Sequence, residues 1–187
     1  MSDPGLLDRL LAARLIGTES HAAAGYRQRT SGTSIEDFLV ETGAIAEEDL
    51  LKFVAASVGC QYLTTEKLRS AGLSKQLLDM VPVKLAKATG MAPIRYDART
   101  RILAVITDDP GNLDALSQVR AAAGVRDVVA VRARTAAVQA AIAKWYDGDA
   151  KAMDSIREVR VIAPPMSGGS DAVEDWLKLI DYEPENV

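Results

Sequence analysis

"MAPIRYDARTRILAVITDDPGNLDALSQVRAAAGVRDVVAVR", residues 91–132, is the stretch whose reading decides the fold. Its first half, through Asp109, predicts two strands around a turn at Asp97–Thr100. The second of these, Ile102–Thr107, is apolar on both faces, which places it centrally in its sheet. "DPGNLDALSQVRAAAG" then reads as a helix that ends at Gly124, and "VRDVVAVR" as a third strand. Beyond it, "TAAVQAAIAKWY" reads as a helix capped by Thr135. The order β-β-α-β-α implies a small sheet covered by two helices.

Outward on the N-terminal side, the periodicity changes to short helices. Leu6, Leu7, Leu10, Leu11 and Leu15 form one stripe of a helix that opens near Asp3-Pro4. A second helix starts at Thr18 and ends near Arg29. Ser34 and Asp37 have capping-box spacing, and the helix they open stops at Gly43. A fourth begins at "AEED", where acidic side chains meet the positive end of the dipole, and ends at Gly59. "LLDRLLAARLIGTES" (6–20) aligns without gaps on "IEDFLVETGAIAEED" (35–49) at an offset of 29, so these helices read as two tandem helix-turn-helix units. Between them and the sheet, residues 59–90 read as a short extended piece, a turn, and two short helices separated by Pro82.

The fold class is therefore α+β: tandem helical hairpins over 1–59, a small β-β-α-β-α sandwich over 60–150, a linker over 151–170 and a tail over 171–187. The net charge of −4 is carried by the C-terminal end. Residues 1–150 hold 18 Lys/Arg and 18 Asp/Glu, and residues 151–187 hold 4 and 8. A neutral body and an acidic end speak against nucleic acid as partner. No apolar run approaches the ~20 residues that span a bilayer, and "MSDPGLLDRLL" lacks the basic region of a signal peptide. With one cysteine, Cys60, no intramolecular disulfide can form. The expected location is cytoplasmic.

The tail "VEDWLKLIDYEPENV" carries Val173, Trp176, Leu177 and Ile180 at i, i+3, i+4 and i+7, one helical face behind a Pro/Gly/Ser-rich leash. This predicts a helix over 173–182 with a buried apolar face. It packs either on its own globule or in a partner's hydrophobic groove with a basic rim, and the first is preferred for the free protein. No other position signals chemistry. His21 is read as a surface or half-buried helix residue, Cys60 as a small buried hydrophobe, and Asp108-Asp109 as a capping turn rather than a metal pair. No catalytic residue, metal ligand or cofactor is expected.

"VPVKLAKATGMAPI", "RILAVITDDPGNLDALSQVRAAAG" and "AAVQAAIAKWY", in this order and spacing, resemble the N-terminal domain of the type II secretion and type IV pilus assembly ATPases. "VETGAIAEEDLLKFVAASVGCQYL" resembles that family's helical front part, and the likeness covers about residues 5–147. The resemblance implies an adaptor or regulator that links a motor to the inner-membrane platform of a secretion, pilus or motility apparatus. It would sit at the inner face of the cytoplasmic membrane through a partner. The family's motor has a phosphate loop, but no G-x-x-x-x-G-K-[ST] occurs in these 187 residues, so ATP hydrolysis is not expected. Some members bind cyclic di-GMP through tandem motifs that open in Arg-Leu-Gly and close in Gln. Here the openings are Gly5-Leu6-Leu7 and Ser34-Ile35-Glu36, with Glu36 facing the anion, and Gln28 matches a closing position where Ser57 does not. Arg9, Arg14 and Gln28 are the residues such a ligand would use, in the alternative reading of a cyclic di-GMP or other small-ligand sensor.

Overall fold

The computed structural model describes residues 5–32 and 34–156. The expected tail residues Val173, Trp176, Leu177 and Ile180, and the expected caps Asp3 and Pro4, lie outside the described residues.

The tandem repeat is visible as geometry. Helices α1 (Leu6–Ala12) and α2 (Thr18–Ser31) are followed by α3 (Ile35–Glu41) and α4 (Glu47–Val58), whose starts lie 29 residues later. The turn after α1 repeats the turn after α3 bond for bond. Leu15 N–H donates to Leu10 C=O at 3.0 Å and Ala44 N–H to Leu39 C=O at 2.9 Å; Arg14 N–H reaches Leu11 and Gly43 N–H reaches Val40. Arg14 takes φ 57° where its counterpart Gly43 takes φ 71°, so one repeat uses the residue suited to the left-handed region and the other does not. Leu6, Leu10 and Ile16 are buried in one cluster with their repeat partners Ile35, Leu39 and Ile45. Apolar residues placed alike in each hairpin thus pack across the pseudo-repeat.

Four strands form one sheet: β1 (Gln61–Tyr62), β2 (Met91–Asp97), β3 (Ile102–Thr107) and β4 (Asp127–Arg132), in the order β1-β4-β3-β2. β3 lies inside the sheet as its two-sided hydrophobicity requires, antiparallel to β2 and parallel to β4. Short β1 joins β4 in parallel, Gln61 opposite Val131 and Tyr62 opposite Arg132, which adds an edge strand to the expected three. One sheet face (Met91, Leu103, Val105) is sealed by α8 (Leu113–Ala123) and by the segment holding α6 (Lys75–Asp79) and α7 (Val83–Thr89). The other (Ala92, Ile106, Val131) is covered by α9 (Thr135–Tyr146), α5 (Thr65–Ser70), Met153 and Ile156. The core therefore reaches past residue 150.

Two local readings are corrected. The segment read as a turn before α6 is helix α5, because its cap comes from far upstream (below). α8 is capped not by an aspartate but by Asn112, whose Oδ1 accepts from Ala115 N–H at 3.0 Å; Asp109 instead closes the turn before it on Gly111 N–H at 3.2 Å.

Candidate functional site

Two places concentrate chemistry: a buried ionic cluster that joins the hairpins to the sheet, and an open groove on the sheet. In the cluster, α3 supplies Glu36 and Asp37 in its first turn and α4 supplies Glu47 as its first residue. The end of β4 and the start of α9 supply Arg132 and Arg134, two residues apart. Arg132 pairs with Glu36. Arg134, with 0% of its side chain exposed, donates from Nε to Glu47 Oε1 at 2.8 Å and lies 3.3 Å from Asp37 Oδ1 through Nη1.

The carboxylates also cap helices that lack caps of their own. Neither Thr64, before α5, nor Arg134, before α9, makes a side-chain cap bond. Glu47 fills the first vacancy by accepting from Thr65 N–H at 3.1 and 3.2 Å, and from the Thr65 hydroxyl. Asp37 Oδ2 fills the second, accepting from Ala136 N–H at 3.2 Å. A carboxylate at a helix N-terminus meets both the orphan N–H groups and the positive end of the dipole.

Ser34 and Asp37 do meet in their own cap: Ser34 Oγ accepts from Asp37 N–H at 3.5 Å, and the Ser34 hydrogen bond to the Asp37 carboxyl opposes the upward shift there. Two expectations are corrected. α9 is not capped by Thr135, which is its first helical residue; its cap is borrowed from α3. Glu36 does not face an incoming anion: it is buried against Arg132. Sequence reasoning missed Glu47, Thr65, Arg132 and Arg134 as partners. The available signal was two arginines inside the apolar run 128–143, since a buried guanidinium requires counter-charge.

Burial, more than any neighbour, raises Glu36 above its ordinary carboxylate value; Arg132 opposes the shift, while Asp37 and Asp108 add to it. Asp37 is likewise raised by burial, against Arg134 and the Ala136 N–H. Three carboxylates here meet two guanidiniums and two helix N-termini. Glu36 Oε2 and Arg132 Nε are buried with no hydrogen-bond partner among the described residues, so the pairing is incomplete. The cluster ties the hairpins to the sheet.

The groove, of about 800 Å³, wraps around β4, lined by Ile102, Ala104 and Val129 on the face that carries α9 and by Leu116, Val128 and Pro110 on the face that carries α8. Ile102, Ala104 and Val129 form its floor, with Val58 and Cys60 beside them and Arg95 on β2. Its burial gradient is steep: Val131 is sealed, whereas Val129, two residues back on the same face of β4, is 42% exposed. Cys60 is half-buried and its thiol is pushed up by burial, so it is not an activated nucleophile. His21 Nε2 stands 2.8 Å from Asp8 Oδ1 on the surface of the first hairpin. No group of three or more His, Cys, Asp or Glu among the described residues is placed to hold a metal ion.

Of the residues expected for a nucleotide, Arg9 and Arg14 are exposed, on α1 and in the turn after it, and Gln28 is half-buried near the end of α2.

Comparison with known proteins agrees with this architecture. Residues 62–152 match the MshEN domain family. The type IV pilus assembly ATPase PilB of Myxococcus xanthus (strain DK1622) is 24% identical over 147 residues, which is 79% of this chain and 25% of PilB. The chain thus spans about a quarter of that relative's length. A structure of MshE with cyclic di-GMP superposes with a TM-score of 0.55 at 19% identity, covering 75% of this chain and 98% of the other. The N-terminal domain of XpsE superposes at 0.51 and 18% identity, covering 75% and 93%. The family match starts at Tyr62, where β1 ends, so the helical hairpins precede it. Over residues 62–152 the chain is similar to the MshEN domain family, and in sequence and fold it resembles the N-terminal domains of type II secretion and type IV pilus ATPases.

Proposed function

We propose that the chain is a non-catalytic protein-interaction module, an adaptor or regulator of a type II secretion, type IV pilus or related motility machine. The observation that carries this reading is a segment similar to the MshEN domain family onto which a tandem helical unit is held by buried ion pairs. Such a junction presents fixed surfaces to a partner. The same reading places the domain at the inner face of the cytoplasmic membrane through that partner, with no nucleic acid involved. No helix among the described residues is long and apolar enough to cross a membrane. Its test is affinity capture of the tagged full chain from the native host. Recovery of a secretion, pilus or motility component is the expected result; recovery of none, with the bait folded and abundant, overturns it. ATP turnover that follows the protein through successive columns overturns the non-catalytic part.

A second reading, a cyclic di-GMP sensor, is favoured by the likeness to a structure of MshE with that ligand. Against it stand the openings Gly5-Leu6-Leu7 and Ser34-Ile35-Glu36, with Glu36 already engaged by Arg132. Isothermal titration separates the two. A dissociation constant at or below the low micromolar range adopts the sensor, and Arg9, Arg14 and Gln28 are then the residues to replace.

A further inference from the structure

The bare end of the sheet face has the chemistry of an interior and the position of a surface. Ile106, Ala92 and Val131 on this face are sealed beneath α9, but the same face continues to half-buried Ile102 and to Val129, which is 42% exposed among the described residues. Val58, at the end of α4, adds a side chain 54% exposed to the same groove. A contiguous apolar surface of this kind marks an interaction site.

We propose that this groove seats the chain's own C-terminal segment, residues 173–182, in cis, and that a partner gains the groove by displacing it. Three observations select this occupant. First, both partners are apolar. A strip of small and β-branched residues (Ile102, Ala104, Val129) offers a shallow floor, and the segment carries Val173, Trp176, Leu177 and Ile180 at the spacing of one helical face.

Second, the charges are complementary. Arg95 lines the groove, and Arg99, Arg101 and Arg126 stand around the β2–β3 turn and the start of β4, where Arg126 N–H bonds Arg101 C=O. Asp97, also in the groove's lining, and Asp127 stand at the same end of the sheet, where arginines outnumber aspartates. Residues 171–187 hold six Asp/Glu and a single Lys.

Third, the tether fits. The last described residue, Ile156, is buried in the core cluster under α9 to which Ala104 of the groove also belongs. Residues 157–172 supply 16 residues, whose coil dimension is roughly 20–24 Å. A leash of that length holds its cargo at an effective concentration in the millimolar range. Even a modest groove is then occupied, while a tighter partner still competes.

Cys60, the chain's only cysteine, lines the groove and reports its occupancy in the full-length protein. We expect N-ethylmaleimide to alkylate Cys60 about threefold faster or more when Trp176→Asp and Leu177→Asp are introduced together, as release of a tethered cover requires. An unchanged rate overturns the proposal. A wild-type rate that slows as protein concentration rises assigns the groove to a second copy, and equally overturns occupancy in cis. The converse variant, Val129→Asp, alters the seat. In a Trp145→Phe background it is expected to move Trp176 emission to the hydrated wavelength, with circular dichroism confirming the fold. Emission already hydrated before that change refutes docking by a route independent of Cys60.

Discussion

Arg134→Met is the most informative single change. The guanidinium is wholly buried, 2.8 Å from Glu47 and 3.3 Å from Asp37, and methionine replaces its stem without its charge. Removing one partner of a buried ion pair typically costs about 3–5 kcal/mol, because the other charge stays buried and unpaired. Here the remaining carboxylates keep the Thr65 and Ala136 N–H groups, which places the loss near the lower figure, about 3 kcal/mol. For a body of this size that lowers the melting temperature by roughly 6–12 °C. Urea unfolding read by circular dichroism measures it. Adding Glu47→Leu should recover part of the loss, since the stranded carboxylate goes with it. Hydrogen exchange should show α3 and α4 losing protection before β3 does. A loss below about 1 kcal/mol for Arg134→Met would mean that water reaches these carboxylates and the clamp is ordinary surface electrostatics.

Arg14→Gly should stabilise the first hairpin by about 0.5–1 kcal/mol, because glycine adopts the φ of 57° without the Cβ penalty, as Gly43 does in the second repeat; a destabilised variant refutes the equivalence. Tyr146→Phe should cost about 1 kcal/mol, since the hydroxyl donates to Val81 C=O at 2.8 Å and ties the end of α9 to the α6–α7 connection; a neutral result in urea unfolding refutes it. Burial raises Glu36 above the ordinary carboxylate value, so its contribution to stability is fully present below that ordinary value and is lost as pH rises through the folded-state value. The stability of wild type relative to Glu36→Gln should therefore fall as pH rises above the ordinary carboxylate range; a rise instead would show that attraction to Arg132 outweighs burial.

Much of the architecture was legible because its causes are local. Ile102–Thr107 is apolar on both faces and lies inside the sheet; Gly59 and Gly124 end α4 and α8 in the left-handed conformation. The 29-residue repeat, read from a handful of aliphatic matches, returns as matching turns and one shared core. What escaped was non-local. Helix α5 was read as a turn because its cap, Glu47, lies 18 residues upstream on another helix. Asp37, besides its own cap with Ser34, caps a helix 99 residues away. Capping rules run within a few residues of an end, so a cap lent across the fold leaves no spacing to recognise. The groove escaped for a similar reason: Val58 and Val129 are ordinary residues of a helix end and a strand, and only the absence of a covering helix makes them a surface.

The same geometry bears on how a signal could pass through the molecule. Separating the hairpins from the sheet would strand buried charges and uncap α5 and α9 together. At roughly 3–5 kcal/mol for a broken buried pair and about 1 kcal/mol for each lost cap, the cost exceeds the 1–3 kcal/mol that usually couples two sites. Binding at one surface would not open the clamp at that price. Regulation that moves less is cheaper: exchanging occupants in a groove whose walls already exist leaves every buried pair intact. The sheet end carrying Val129 and Arg95 can change partners in this way, whereas Arg134, held between two borrowed caps, cannot move without unmaking both helices that depend on it.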